Sequence, residues 1–364
     1  MAPGPFGETF GISFRAGRAR RPVSFGLRPA WWLAVALTLL LLLGSALAIY
    51  LSCEFFVNGV EWVGHRLRLS QSATGTLLAA FGTALPESVV TFVAVAFGRS
   101  PAEQDIGIGA ALGGPLALST LAYSVVGLTL LGSRRLKVVR KAALEVDCAR
   151  LSRDQAWFLS IFLVKLALGL VSFAGKGWLG ILFLAAYALY VGKELRSEGV
   201  ARPEELAPLR CRPGVARPGL AWCALQTLAA LVVIFIASRI FVAQLTLIGP
   251  WLGLPAQLTA LLLSPLATEM PETMNAIIWV RQGKERLALA NISGAMMIQA
   301  TIPTACGLFF TPWRFSHALI LAGAVTAVAV ATLFLMFRGG RVTSRRLSAS
   351  SLLYLVFAGL LLLR

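Results

Sequence analysis

Ten stretches dominated by apolar residues, each near the length needed to cross a bilayer, follow one another along almost the whole chain. They run at roughly 31–64, 73–97, 105–132, 155–174, 176–196, 219–247, 255–281, 287–311, 314–338 and 346–364. A spanning helix needs about 20 mostly apolar residues, because the hydrocarbon layer is ~30 Å thick and a helix rises ~1.5 Å per residue. Of the 364 residues, 57% are hydrophobic and only 13% charged, whereas soluble domains sit near 25% charged. The expected class is therefore an all-α integral membrane protein with ten transmembrane helices.

The charge pattern sets an orientation. The chain carries 33 Lys+Arg against 16 Asp+Glu, a net charge of +17. A basic excess can serve nucleic acid, but in membrane proteins Lys and Arg collect in cytoplasmic loops. The connections and span ends after stretches 1, 3, 5, 7 and 9 carry 22 of the 33 basic residues, against nine on the other side. That side reads as cytoplasmic, with both termini outside. Residues 1–30, rich in Gly, Pro and Arg, read as a disordered tail, and Trp31–Leu51 as a retained membrane helix rather than a cleaved signal. Five cysteines without metal-ligand spacing suggest neither a disulfide framework nor a zinc site. No Gly-Lys-Ser/Thr phosphate loop occurs, which argues against an ATP-driven pump, a nucleotide partner or a cofactor.

An internal repeat organises the spans. Gly82-Thr83-Ala84-Leu85-Pro86-Glu87 aligns with Ala267-Thr268-Glu269-Met270-Pro271-Glu272 at an offset of 185, which also pairs Phe56-Val57 with Phe241-Val242. A second block, Gly109 with Ala290 and Gly113 with Gly294, aligns at an offset of 181. Five spans per half is an odd number, so the second half enters the membrane upside down. The expected architecture is two inverted five-helix repeats, 31–196 and 219–364, joined by a cytoplasmic linker at 197–218. Inverted-repeat transporters bind their cargo near the midplane, where the repeats meet.

The repeated motif carries the chemistry. Glu87 and Glu272 lie well inside apolar stretches, where a carboxylate costs at least about 2.5 kcal/mol and needs a partner. Their own spans offer no Lys or Arg before Arg281, so a bound cation is the natural partner. Each Glu follows a proline, which frees the carbonyl four residues back, that of Gly82 or Ala267, and bends the helix. Irregular backbone within a membrane occurs around buried sites and cavities. Two carboxylates, the hydroxyls of Thr83 and Thr268 and the freed carbonyls approach the 6–8 oxygens that calcium takes at about 2.3–2.6 Å. Glu269 adds a third carboxylate three residues before Glu272, as an ion ligand or proton carrier. Gln299, and closer to the span end Asn291, add polar atoms to the eighth stretch. Gly107, Gly109, Gly113, Gly114 and Gly294 supply faces on which helices approach closely. Glu54, Asn58 and Glu61 share a helical face, read as a solvated cytoplasmic end, the alternative being an ion access path. Lys165 and Arg239, inside spans, are read as snorkelling to the membrane edge.

At these residues the chain resembles the sodium/calcium exchanger family of the cation/calcium antiporters. That family has two inverted repeats, each with a Gly-Thr-Ser-Leu-Pro-Glu-like motif followed by a Gly-Asn-rich one. The resemblance implies that Glu87 and Glu272 are the central calcium-binding glutamates, that Thr83 and Thr268 bind ions, and that Gln299 stands where the family has Asn or Asp. Here Ala84 replaces a Ser, Glu269 replaces its counterpart, and Gly114, Pro115, Leu118, Ala295 and Met296 replace Ser and Asn. The first half thus lacks side-chain oxygens that line the family's sodium sites. The implied function is Na⁺/Ca²⁺ antiport by alternating access, in a cell (inner or plasma) membrane, with calcium, sodium and lipid as partners and no enzymatic activity. The alternatives are exchange of H⁺ for Ca²⁺ or another divalent cation, and a non-transporting membrane binding or scaffold protein that keeps the fold.

Overall fold

The computed structural model describes residues 29–66, 71–132, 146–197, 206–281, 283, 285–340 and 342–363. The expected tail up to residue 28, most of the basic loop at 133–145 and the first part of the linker lie outside them, as do the side chains of 71–83, Met270 and Pro271. Residues up to Leu37 form a unit of their own, of which only the start of α1 is described. The helix packing and the candidate site belong to the unit from Thr38 onward.

Among the described residues all regular structure is helical. The elements are α1 (Pro29–Arg66), α2 (Gln71–Phe97), α3 (Pro101–Ala117), a π-helical turn (Leu118–Ala122), α4 (Tyr123–Gly132), α5 (Cys148–Leu170), α6 (Gly180–Ser197), α7 (Leu220–Trp251), α8 (Ala256–Thr268), α9 (Met270–Arg281), α10 (Glu285–Phe310), α11 (His317–Arg338), α12 (Ser344–Ser348) and α13 (Ser351–Leu362). They account for the ten expected spans, with α3–α4, α8–α9 and α12–α13 each forming one span. Six are long and apolar enough to cross a membrane by themselves: Trp32–Arg66, Pro101–Gly132, Leu220–Trp251, Ala288–Phe310, His317–Arg338 and Ser344–Leu362. α5 starts at Cys148, ahead of the predicted 155, because Asp147 caps it by accepting a hydrogen bond from the Arg150 amide at 3.0 Å.

The burial pattern inverts that of a soluble protein. Leu40 and Leu43 on α1, Leu182 and Leu189 on α6, Leu228 on α7 and Leu355 on α13 are exposed, whereas Glu87, Lys165, Glu269, Glu272 and Gln299 are buried. Only a lipid surround makes that distribution favourable.

Packing follows the repeat. α3 lies against α8, and its counterpart α10 lies against α2, so the second motif helix meets the first half's third span and the first motif helix meets the second half's equivalent. Two glycines permit the first crossing. A Cβ at Gly109 would stand 2.1 Å from the Gln257 carbonyl oxygen, and one at Gly113 2.6 Å from that of Leu261. No L side chain fits there without moving the backbone.

The two prolyl motifs act unequally. α2 runs unbroken through Pro86, whereas the seventh span breaks at Glu269 into α8 and α9. One motif thus lies inside a single helix and the other at the junction of two. The second half carries Pro265 as well as Pro271, one on each side of Glu269. Pro271 leaves the Ala267 carbonyl without its helical donor, and the backbone departs from regular helix at Glu269 (φ −95°, ψ −3°), although the Glu269 amide still bonds the Pro265 carbonyl at 3.0 Å.

The foot of α1 is also corrected. Asn58 is buried rather than solvated. It donates to the carbonyls of Ala207 and Pro208 at 3.3 and 3.4 Å and accepts from the Arg210 amide at 3.0 Å and from Gln226 on α7 at 3.1 Å. Trp62 donates to Ala207 at 2.9 Å, and Glu54 pairs with Arg210 at 2.8 Å. This face clasps the linker across α1 and α7.

Candidate cation site

α2 brings Glu87 to the last turn of α8. There the Thr268 hydroxyl lies closest to Glu87 Oε2, to which it donates, and Ser264, one turn earlier, lies 3.4 Å from the same oxygen. The Thr268 hydroxyl is also 3.1 Å from the Ser264 carbonyl and 3.4 Å from Glu269 Oε1; its single proton serves one of these at a time. Gln299, from α10, donates to Glu269 Oε1 at 2.7 Å. Glu87, Thr268, Glu269 and Gln299 thus form one buried polar chain drawn from three spans and both halves. Gly114 on α3 gives it room: a Cβ there would stand 2.8 Å from Gln299 Oε1 and 3.0 Å from Glu269 Oε1.

Much of the oxygen in this chain lacks a protein partner. Glu87 Oε1, Glu269 Oε2, Gln299 Oε1 and both carboxylate oxygens of Glu272 are buried with no hydrogen-bond partner among the described residues. Leaving such a group unpaired costs about 1–3 kcal/mol, and more when charged. Natural interiors keep these exceptions for sites.

The remaining predicted residues divide between the rim of this polar chain and positions apart from it. Glu272, in the first turn of α9, is fully buried. Ala267 lines a narrow crevice with Thr268, Pro86, Ile49, Tyr50 and Phe241. Asn291, eight residues before Gln299 on α10, is half-buried with its amide nitrogen unpartnered, and stays outside the polar chain. The side chain of Thr83 and the surroundings of Gly82 lie outside what is described. Among the described residues no three Asp, Glu, His or Cys side chains converge on one metal-sized point. Glu87 is turned to Thr268 and Glu269 to Gln299.

Lys165 overturns its sequence reading. It does not snorkel; it is 0% exposed. Its ammonium donates to the carbonyls of Ala111 on α3 at 2.6 Å and Gln299 on α10 at 3.3 Å. The polar chain therefore has a basic group at its Gln299 end, brought by a different span. Arg239 reaches the connection between α2 and α3, where span 2 ends. It donates to the Phe97 carbonyl that ends α2 and lies 3.5 Å from Glu103. Ser264 was legible, four residues before Thr268 and so above it on the same helix face. Lys165 was not.

An all-helical inverted repeat with carboxylates buried where its halves cross defines a membrane cation exchanger. The sequence model of the family described as "Sodium/calcium exchanger protein" matches residues 37–193 and 222–363. The chain belongs to the sodium/calcium exchanger protein family. It is similar to CaxA of Alkalimonas amylolytica (26% identical over 279 residues, 76% of this chain and 81% of that protein). It is equally similar to the inner membrane protein YrbG of Escherichia coli strain K12 (26% identical over 286 residues, 76% of this chain and 80% of that protein). In fold it resembles the crystal structure of the H⁺/Ca²⁺ exchanger CAX, with a TM-score of 0.68 at 18% identity over 90% of this chain and 84% of that one. It also resembles the sodium-calcium exchanger NCX_Mj, with a TM-score of 0.54 at 18% identity over 89% of this chain and 99% of that one.

Proposed function

We propose that this exchanger moves Ca²⁺ against Na⁺ by alternating access, with Glu87 and Glu272 as the central cation ligands and Thr268, Glu269 and Gln299 completing the site. Thr83, Asn291 and the carbonyls of Gly82 and Ala267 belong to the wider set. One observation carries the reading: the five buried, unpartnered oxygens of Glu87, Glu269, Glu272 and Gln299. Hard oxygen donors of this kind suit Ca²⁺ and Na⁺ rather than copper or zinc. Ca²⁺ or the counter-ions can each neutralise the carboxylates, but not both together, and that exclusion is what couples the two fluxes.

A second reading, exchange of H⁺ for Ca²⁺, is favoured by Glu269. It stands where the first repeat has Ala84, so the site holds one carboxylate more than the repeat requires, and a carboxylate can carry a proton. We place the protein in a cell membrane with both termini outside and the linker in the cytoplasm.

The test is Ca²⁺ flux in vesicles of purified protein under separately imposed Na⁺ and H⁺ gradients. Flux driven by Na⁺ supports the first reading. Flux driven by H⁺ alone replaces it with the second, and flux indifferent to either gradient removes antiport. Glu87→Gln and Glu272→Gln should each lower flux by at least about 100-fold, the scale of removing one charge from a buried ionic site. Normal flux and Ca²⁺ binding in both variants would sink the site assignment.

A further inference from the structure

A proline inside a helix leaves the carbonyl four residues back without its helical donor. α3 contains Pro115 and α10 contains Pro303. The carbonyls they release are those of Ala111 and Gln299, and both receive the same atom, Lys165 Nζ, at 2.6 and 3.3 Å. The Phe162 ring centroid lies 5.6 Å from that nitrogen, and the side chain of the same Gln299 donates to the Glu269 carboxylate at 2.7 Å.

We infer that the meeting point of these two released carbonyls is a site for a monovalent cation, which this protein fills with the tethered ammonium of Lys165. An ammonium and a desolvated alkali ion need the same surroundings: carbonyl oxygens, an aromatic face and a nearby carboxylate. The carbonyls need a cation or donor as much as the cation needs them, since unpaired they cost about 1–3 kcal/mol each in the interior. The amine comes from a third helix, α5, on a chain long enough to reach the centre. The rest of the inference depends on the Na⁺/Ca²⁺ reading above: Lys165 takes the place of one counter-ion, a tethered cation on the Gln299 carbonyl that cannot be carried across.

Thermal unfolding of purified wild type and Lys165→Ala tests the filled site without transport. Choline chloride is replaced by NaCl or KCl at constant ionic strength, with Ca²⁺ saturating. Lys165→Ala should melt several degrees lower in choline and recover about 5 °C more than wild type as alkali cation is added, saturably. Lys165→Gln, whose amide can donate to one carbonyl, should respond by about half as much. An alkali response no larger than that of wild type in both variants overturns the inference. If Lys165→Ala cannot be isolated in choline, recovery of folded protein when extraction is done in NaCl or KCl supports the site, and failure in all three salts refutes it. In vesicles, the Na⁺ dependence of Ca²⁺ flux should steepen in Lys165→Ala, its Hill coefficient rising by about one; an unchanged coefficient refutes the counter-ion role. A wild type without Na⁺-driven flux and without stabilisation by Ca²⁺ would instead count against the transport reading, leaving the alkali response to be judged alone.

Discussion

Thr268 joins two carboxylates that would otherwise only repel, and its single proton makes it selective between them. It is closest to Glu87. A hydrogen bond to a charged group contributes about 1.5–3 kcal/mol, so Thr268→Val should raise the Ca²⁺ concentration for half-maximal flux by about 10–100-fold, while Thr268→Ser stays within a few-fold of wild type. Equal losses in the two would show that the methyl group, not the hydroxyl, matters. Gly114 is the companion case. Gly114→Ala sets a methyl 2.8 Å from Gln299 Oε1 and 3.0 Å from Glu269 Oε1, so it should cut flux about tenfold or more with little change in thermal stability, since side-chain ends can yield. The residues that meet here, Glu87, Thr268, Glu269 and Gln299, were readable because each is a polar atom where polarity is costly. Lys165 was equally conspicuous in sequence, yet its partners lie 54 and 134 residues away. Nothing local tells an inward-facing lysine from a snorkelling one.

The number of spans was legible because lipid imposes a length on every helix, and length survives errors at the ends. The break in the seventh span was half legible. Proline predicts disturbance, but one proline left α2 continuous and two, six residues apart, split α8 from α9. Pro271→Ala returns an amide that can bond the Ala267 carbonyl. Slower hydrogen exchange around residues 268–272, together with reduced flux, is the expected result, and unchanged exchange would show that Pro265 alone sets the break. The crossing of α3 and α8 is a different kind of constraint. With a Cβ only 2.1 Å from the Gln257 carbonyl oxygen, Gly109→Ala forces two backbones apart. Overpacking of this sort costs about 1–3 kcal/mol, so the melting temperature should fall by several degrees; a variant as stable as wild type would mean that the helices part freely. Small residues signalled the closeness of this contact, but not which helix was met.

At the scale of the molecule, the inverted halves were readable from an odd span count and a repeated motif, whereas the linker's conformation was not. Its polar contacts join α1 and α7, and the Glu54–Asn58–Glu61 face looks solvated until the linker lies on it. The linker also reports orientation. Cys211 is the exposed member of the five cysteines, so a membrane-impermeant maleimide should label it in inside-out vesicles and not in intact cells. Labelling of intact cells would reverse the proposed topology. The unequal break reaches furthest. In a perfectly matched inverted repeat, swapping the roles of the halves turns one facing state into the other at no change in energy. Here the swap would put a continuous helix where a split one stood. Under the proposed alternating access the protein should therefore rest facing one side, and its half-saturating cargo concentration, measured from each face in vesicles, should differ.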